Sequence, residues 1–421
     1  ATTGKSNVQL VVGEFPAFGD SQTRAIGTPD PGKTSWAEGD ELLLEMTSKT
    51  FGTKYAAFTY NGSSWELTSG ELSYKEDEVP TFPHVYYAPN YKWEAGKLVL
   101  KEGKAAGTDE YIEGKAEITP NGQSITVNFS GATRNYSRLR IATMPNKPIT
   151  VSIDKYTPAG SSDMKWDQNY ALTSDEKGNA YLYGTFENNS EVTVKYREAA
   201  LTTHTFSQAT ESAKSYALDA TVISANSAEE IKSAIEQKVA DSKTAIRLNL
   251  ASDAGANEFM AIREAIKGAA PNDLGTIELT IIGVETIPEE AFYKMLQLKS
   301  VRMSDVKEIK KYAFKECQYL TVVEAPSLNK LNSGAFNNCY LLSKLTFGPI
   351  NYADARYWPI FEDITPNIDL ILSDYQKEMI KTDDDLYTAN NDIDYADSNK
   401  HWNKNFLGRE FKSITCRFKV E

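Results

Sequence analysis

VETIPEEAFYKMLQLKSVRMSD, VKEIKKYAFKECQYLTVVEAPS and LNKLNSGAFNNCYLLSKLTF are residues 284–305, 306–327 and 328–347, and they state one pattern three times. Phe292, Phe314 and Phe336 stand 22 residues apart, each preceded by an alanine (Ala291, Ala313, Ala335). The register holds upstream, at Ile287, Ile309 and Leu331 and again at Val284, Val306 and Leu328. Downstream it continues through Met295, Cys317 and Cys339, then Leu298, Leu320 and Leu342, then Val301, Val323 and Leu345. A repeat this short is one supersecondary unit that cannot bury its apolar face alone. Stacked copies join those faces into one core, which predicts a solenoid, and a solenoid's broad surface makes binding its default function.

Read as I-x-x-x-A-F-x-x-C-x-x-L-x-x-V, through Ile309, Ala313, Phe314, Cys317, Leu320 and Val323, the pattern resembles the BspA-type leucine-rich repeat of bacterial surface proteins. The next copy reads Leu331, Ala335, Phe336, Cys339, Leu342 and Leu345. The first copy departs by carrying Met295 in the cysteine column, which accepts any soft, buried apolar group.

Outward from this stretch, 421 residues exceed one ordinary core, and two to three domains are expected. An apolar fraction of 41% with 24% charged residues describes a globular protein. A net charge of −13 argues against nucleic acid, whose binding rests on Lys and Arg, and against anionic membranes. No apolar run reaches bilayer length. The chain starts at Ala1 without the charged and apolar regions of an export signal, so any such signal is expected to have been removed. Three cysteines do not make a disulfide framework, while 23 tyrosines suit extensive β-structure.

From residue 8 to about 196 the chain reads as β throughout. Short runs at 8–12, 41–46, 55–60, 97–101, 116–119, 125–129, 139–144, 150–153, 180–186 and 191–196 are separated by turn chemistry such as Asn61–Gly62 and Asn121–Gly122. Thr23, Arg24 and Ala25, then Trp36 with Glu38, Gly39 and Asp40, then Tyr86, Tyr87, Ala88 and Pro89 resemble the fimbrillin-like (Mfa-like) surface proteins of anaerobic Gram-negative bacteria. Asp175 with Gly178, Asn179 and Ala180, the Phe186 strand, and Ser215 to Leu218 are similar to that family's second sandwich. The resemblance implies two tandem β-sandwiches, with their junction near 143–147. The expected fold is therefore mainly β and multidomain: sandwich 1 over 1–145, a smaller sandwich 2 over 146–220, and an α/β leucine-rich-repeat solenoid over 221–421.

The grammar changes at Ser227, which with Glu230 forms a capping box. Ile231, Ala234, Ile235 and Val239 keep one helical face apolar. A strand at 246–250 and a second amphipathic helix at 258–266 complete an N-terminal cap, since terminal repeats must cover the open core. The strand at 277–282 supplies the first rung. Past Phe347 the repeat decays: 352–366 reads as an insertion, 369–372 as another rung, 375–381 as a helix, and 402–418 as a closing cap that contains Trp402.

Chemistry is scarce. His84, His204 and His401 fall in three different predicted modules, and no Walker loop, dinucleotide fingerprint, nucleophile elbow or zinc motif appears. No catalytic residue, metal or cofactor is assigned, and the chain is expected to be non-enzymatic. Gathering a histidine with a carboxylate in a cleft would reopen that class. Cys317 and Cys339 share a column on neighbouring rungs about 5 Å apart. That spacing is within disulfide range, although two free, buried thiols are the favoured reading. Aspartates at 383–385, 392, 394 and 397 fit a solvated loop better than a calcium loop. Trp93 with Tyr86, Tyr87 and Tyr91 reads as packed aromatics, with a sugar platform as the alternative.

If Leu298, Val301 and Met303 point inward, strand alternation sends their neighbours out. The candidate ligand face is therefore Glu278, Thr280, Ser300, Arg302, Val322, Glu324, Lys344 and Thr346. The partner expected there is an extracellular protein or glycan. The resemblances imply an exported, monomeric surface protein, anchored to the outer membrane by a lipid on a residue upstream of Ala1. They also imply an alternative, a fimbrial accessory or tip subunit. Cleavage at Arg24 would then free the leading strand, residues 7–12, for donor-strand complementation.

Overall fold

The structure, a computed structural model, describes residues 8–18, 32–119, 124–353, 360–365, 367–373, 405–406 and 409–418. They fall in two compact units, 1–193 with 203–220 and 194–202 with 221–421. Both are built chiefly of strands, and the protein is mainly β and multidomain.

The first unit begins with β1 (Gln9–Val12), β2 (Glu41–Ser48), β3 (Gly52–Tyr60), β4 (Trp65–Gly70) and β5 (Thr81–Tyr87). A hairpin of β6 (Tyr91–Glu94) and β7 (Lys97–Leu100) follows, then β8 (Ile112–Glu113), β9 (Lys115–Ile118) and β10 (Ser124–Asn128). They form a sheet ordered β4-β3-β2-β5-β8 and a smaller one ordered β1-β10-β9. Strand alternation turns Leu42, Leu44 and Met46 of β2 and Val85 and Tyr87 of β5 inward. There they join Leu10, Ile125 and Val127 in one core.

The next strands are β11 (Ser137–Ala142), β12 (Pro148–Pro158), β13 (Lys165–Thr173), β14 (Asn179–Phe186), β15 (Glu191–Tyr196), β16 (Ala199–Thr205) and β17 (Ser215–Asp219), of which residues 194–202 in β15 and β16 count with the second unit. Their order is β16-β15-β12-β14-β11-β17, with β13 also on β12. Strand β11 buries all six of its residues between β14 and β17. The domain boundary expected at 145 therefore falls between two strands of one sheet. The expected junction rests on a resemblance taken in chain order, whereas sheet membership is decided by partners far away in sequence. Gly107 ties the two β modules together: its carbonyl accepts hydrogen bonds from Tyr156 Oη at 3.0 Å and Tyr183 N at 2.7 Å. Its φ is +88°, and a Cβ there would lie 2.8 Å from the Tyr156 ring, so only glycine fits.

The second unit opens with β18 (Ile223–Ser224), α1 (Ala228–Ala240), β19 (Ala245–Asn249) and α2 (Ala256–Ala269). Ser227 caps α1 by accepting from Glu230 N at 3.2 Å, while the Glu230 carboxylate reaches one residue further back, to Asn226 N at 2.8 Å. Ile231, Ala234 and Ile235 are buried as expected.

The repeats then run through β20 (Ile277–Ile282), β21 (Thr286–Ile287), β22 (Leu298–Met303), β23 (Glu308–Ile309), β24 (Val322–Ala325), β25 (Lys330–Leu331), β26 (Lys344–Phe347), β27 (Tyr352–Ala353) and β28 (Asp369–Ser373). A small pair, β29 (Asn405–Phe406) and β30 (Arg409–Glu410), precedes β31 (Ser413–Phe418). Two parallel sheets result, the long one ordered β18-β19-β20-β22-β24-β26-β28-β31 and the short one β21-β23-β25-β27. Between them runs a ladder of turns in which Phe292 N donates to Ala313 O at 2.7 Å and Phe314 N to Ala335 O at 2.8 Å.

Every member of the seven apolar columns is buried. The phenylalanines pile in register: Phe292 to Phe314 at 5.1 Å and 22°, Phe314 to Phe336 at 5.3 Å and 4°. The pile continues beyond the visible repeat, because Phe361 stacks on Phe336 at 5.6 Å and 10°. Phe361 stands 25 residues after Phe336, and β28 pairs in register with β26, so the stretch read as an insertion carries a rung three residues longer than the rest. Phe259 of α2 closes one end edge-on, and Phe411 the other. The helix expected at 375–381, and Trp402, lie outside the described residues.

Candidate recognition surface

The long sheet's outward columns differ from the exposed face expected of them. Thr280, Ser300 and Thr346 are only 4%, 2% and 8% exposed, Glu278 and Val322 are half-buried, and Lys344 is open. Arg302 pairs with Glu324 at 3.3 Å and donates to Ser300 Oγ at 2.9 Å. The segment 194–202, which belongs to this unit, bonds to three of its side chains. Ala200 N donates to Glu324 at 3.2 Å, Arg247 Nε donates to Leu201 O at 2.6 Å, and Arg197 forms an ion pair with Asp305. Polar groups can be buried when they are hydrogen-bonded, and here the sheet and that segment satisfy each other. Across the rungs from β19 to β24 this face is structural rather than free for a ligand.

What stays open is an edge that the consensus positions did not reveal. Leu274, Tyr319, Tyr340 and Leu341 are exposed, and Tyr319 and Leu341 occupy one column on successive rungs. Gly275, at φ +64°, sets Leu274 beside them, since a Cβ there would lie 3.0 Å from Tyr319 Cβ. On the turn ladder, Lys311 and Lys315 sit 4.7 and 4.8 Å over the Tyr312 ring. Gly334 leaves room for that ring, because at φ +65° its Cβ would come within 2.4 Å of it. The usable signal for these residues was aromatic side chains at the repeat's non-consensus positions.

One histidine is gathered with carboxylates. His84 meets Glu113 at 2.8 Å, Tyr86 Oη at 3.2 Å and Glu45 at 3.9 Å. The cluster lies half-exposed on a sheet face rather than in a cleft, because β2, β5 and β8 are neighbours. His204 packs edge-on to Phe206 at 4.7 Å, and burial lowers its pKa. Among the described residues no group of three or more His, Cys, Asp or Glu is placed to hold a metal. Trp93 packs at 4.8 Å against Tyr55 and 6.2 Å from Tyr86, as a cluster of packed rings. Arg24, His401 and the aspartates at 383–397 lie outside the described residues.

Cys317 and Cys339 are free. Each thiol donates to a carbonyl on the preceding rung, Cys317 to Phe292 O at 2.9 Å and Cys339 to Phe314 O at 3.0 Å. Burial pushes the Cys317 thiol up to about 12 and the Cys339 thiol well above its ordinary value. Reactivity belongs to the exposed thiolate. In a Cys416→Ser background, neither thiol should react with a disulfide reagent at pH 8 until denaturant is added, when both should. A fast native reaction would contradict the buried placement.

Residues 274–358 match the BspA type leucine-rich repeat region, in six copies. This segment of the second unit is therefore a repeat region of that type. Among curated proteins none matches the sequence. Of solved structures, a candidate cell adhesion protein from Bacteroides fragilis is similar over 51% of this chain and 92% of its own, at 10% identity and a TM-score of 0.26. A likeness with so low a score carries no argument. Among the described residues no helix is long and apolar enough to cross a membrane.

Proposed function

We propose that the protein is a non-enzymatic adhesion or recognition protein of the cell surface, whose repeat region reads an extracellular protein. One observation carries this: a rigid, fully apolar ladder leaves Leu274, Tyr319, Tyr340 and Leu341 open along one edge. Tyrosines interleaved with leucines suit the desolvated centre of a protein–protein contact. The leucines have no hydrogen-bonding group to offer a glycan. The resemblance to bacterial surface proteins supports export and a lipid anchor upstream of Ala1.

The test is an array of extracellular proteins probed with the full chain and with a Tyr319→Ser/Leu341→Ser variant. The best partner of the unaltered chain should bind the variant at least about tenfold more weakly, as loss of central anchors does. Equal binding by both would remove the ridge from the function.

The β1 strand supports a second reading, a fimbrial accessory subunit. It is a four-residue edge strand, parallel to β10, with only Leu10 fully buried. Its release would open β10 to a donor strand. Trypsin cleavage at Arg24 should then give concentration-dependent polymers, and a stable monomer would end this alternative.

A further inference from the structure

A polar cleft opens in the first unit. Its volume is about 490 Å³, within the roughly 300–1,000 Å³ of small-molecule sites. Its lining is polar: Ser152 from β12, Gln168 and Asn169 from β13, and Asn189 and Glu191 at the start of β15. Such a lining is the reverse of the usual apolar pocket.

The fold explains how the cleft arises. Ile149, Val151 and Ile153 face inward along β12, but after Asp154–Lys155 the inward residues are Tyr156 and Pro158. Alternation slips by one residue there, and opposite the slip Asp167 takes a left-handed φ of +50°. Such a slip bends a strand and re-aims its side chains. Ile153 pairs with Gln168 and Lys155 with Trp166, which brings the outer face of β13 round beside β12 and β15.

Next in sequence to the lining residue Asp167 is Trp166, 59% exposed, with Lys155 Nζ 5.6 Å from its ring. A tryptophan gains nothing for stability by standing in water, and it offers an open flat ring. Ser152 Oγ donates to Asn169 Oδ1 at 2.8 Å, which fixes that amide in place.

We infer that this cleft binds a neutral oligosaccharide. Amides and hydroxyls supply donors and acceptors together, matching sugar hydroxyls, which are both. Trp166 gives the flat apolar surface on which the C–H face of a pyranose rests. Asp154, Asp167 and Glu191 also line the cleft, and their carboxylates have no ion-pair or hydrogen-bond partner among the described residues. They can accept hydrogen bonds from sugar hydroxyls and would repel uronic or sulfated glycans.

The test uses the full chain on a printed array of neutral and acidic glycans, followed by titration of the best neutral tetrasaccharide with tryptophan fluorescence as readout. A neutral glycan should bind and change the fluorescence. Trp166→Ala and Asn169→Ala should each weaken it about tenfold or more without shifting the thermal midpoint. The Tyr319→Ser/Leu341→Ser variant should bind the glycan normally, which separates this site from the repeat edge. No neutral binder, preference for acidic glycans, or binding unchanged by Trp166→Ala would each overturn the inference.

Discussion

Phe314→Ala should lower the stability of the repeat region by about 3–5 kcal/mol, the range for deleting a buried aromatic ring. Phe314 has no exposed surface and lies between Phe292 and Phe336, at 5.1 and 5.3 Å. Its position at mid-pile matters, because a solenoid is stabilised by contacts between neighbouring rungs. Removing the ring cuts one rung's contacts on both sides and leaves a void that neighbours held by β ladders cannot collapse into. Urea denaturation of the full chain should show the transition of the second unit moved to lower denaturant. Tyr319→Ala, on the outside, should change stability by no more than about 0.5 kcal/mol. A Phe314→Ala cost below about 1 kcal/mol would mean that the pile is not a packed core.

The second large effect belongs to Arg134 in the first unit. Arg134 Nε donates to both Glu110 oxygens, at 3.1 and 3.0 Å, Nη2 also bonds Glu110, and Tyr136 Oη donates to the same carboxylate at 3.2 Å. Both partners are buried, at 9% and 5% exposure. The guanidinium also lies 4.1 Å over Phe18 and bonds the carbonyls of Pro16 and Ala17, so it holds that early segment in place.

Arg134→Met would strand the Glu110 charge, which typically costs about 3–5 kcal/mol at neutral pH. The cost should depend on pH in a stated direction. Burial pushes the Glu110 carboxyl above its ordinary value, with Arg134 opposing. Without Arg134 the folded form would hold a proton that the unfolded form releases above about pH 4.3. The variant therefore loses stability as pH rises from there, by up to about 1.4 kcal/mol per pH unit, until the folded pKa is passed. Urea midpoints at pH 4.5 and 7.5 should differ between variant and parent by much less at the lower pH. An equal deficit at both would mean that Glu110 is not desolvated.

Much of the fold was legible. The columns at Val284, Ile287, Ala291, Phe292, Met295, Leu298 and Val301 and their copies announced the ladder, and Ser227 and Glu230 announced its first helix. Strands β4, β5, β13 and β16 were not read, because they carry polar or mixed residues on half-exposed faces. The rung through Phe361 was hidden by three extra residues, which break a fixed period although the stacking continues. Glu110 and Arg134 are 24 residues apart with no motif between them, so only the fold could show that they meet.

The candidate surface was read less well, for a related reason. Alternation along β20, β22, β24 and β26 speaks only to which side chains leave the ladder's interior. It could not tell what lies on top of them: Thr280 and Ser300 are buried, and the segment 194–202 bonds Glu324. Asn169 met Ser152 and Glu191 only through the pairing of distant strands.

The sequence by itself determined the interior of the repeat region, since a period of 22 residues fixes each buried group by its near neighbours. Only the tertiary structure decided the surfaces, which outward columns are covered and where a polar cleft opens. Those depend on pairings between distant segments, and local periodicity carries no record of them.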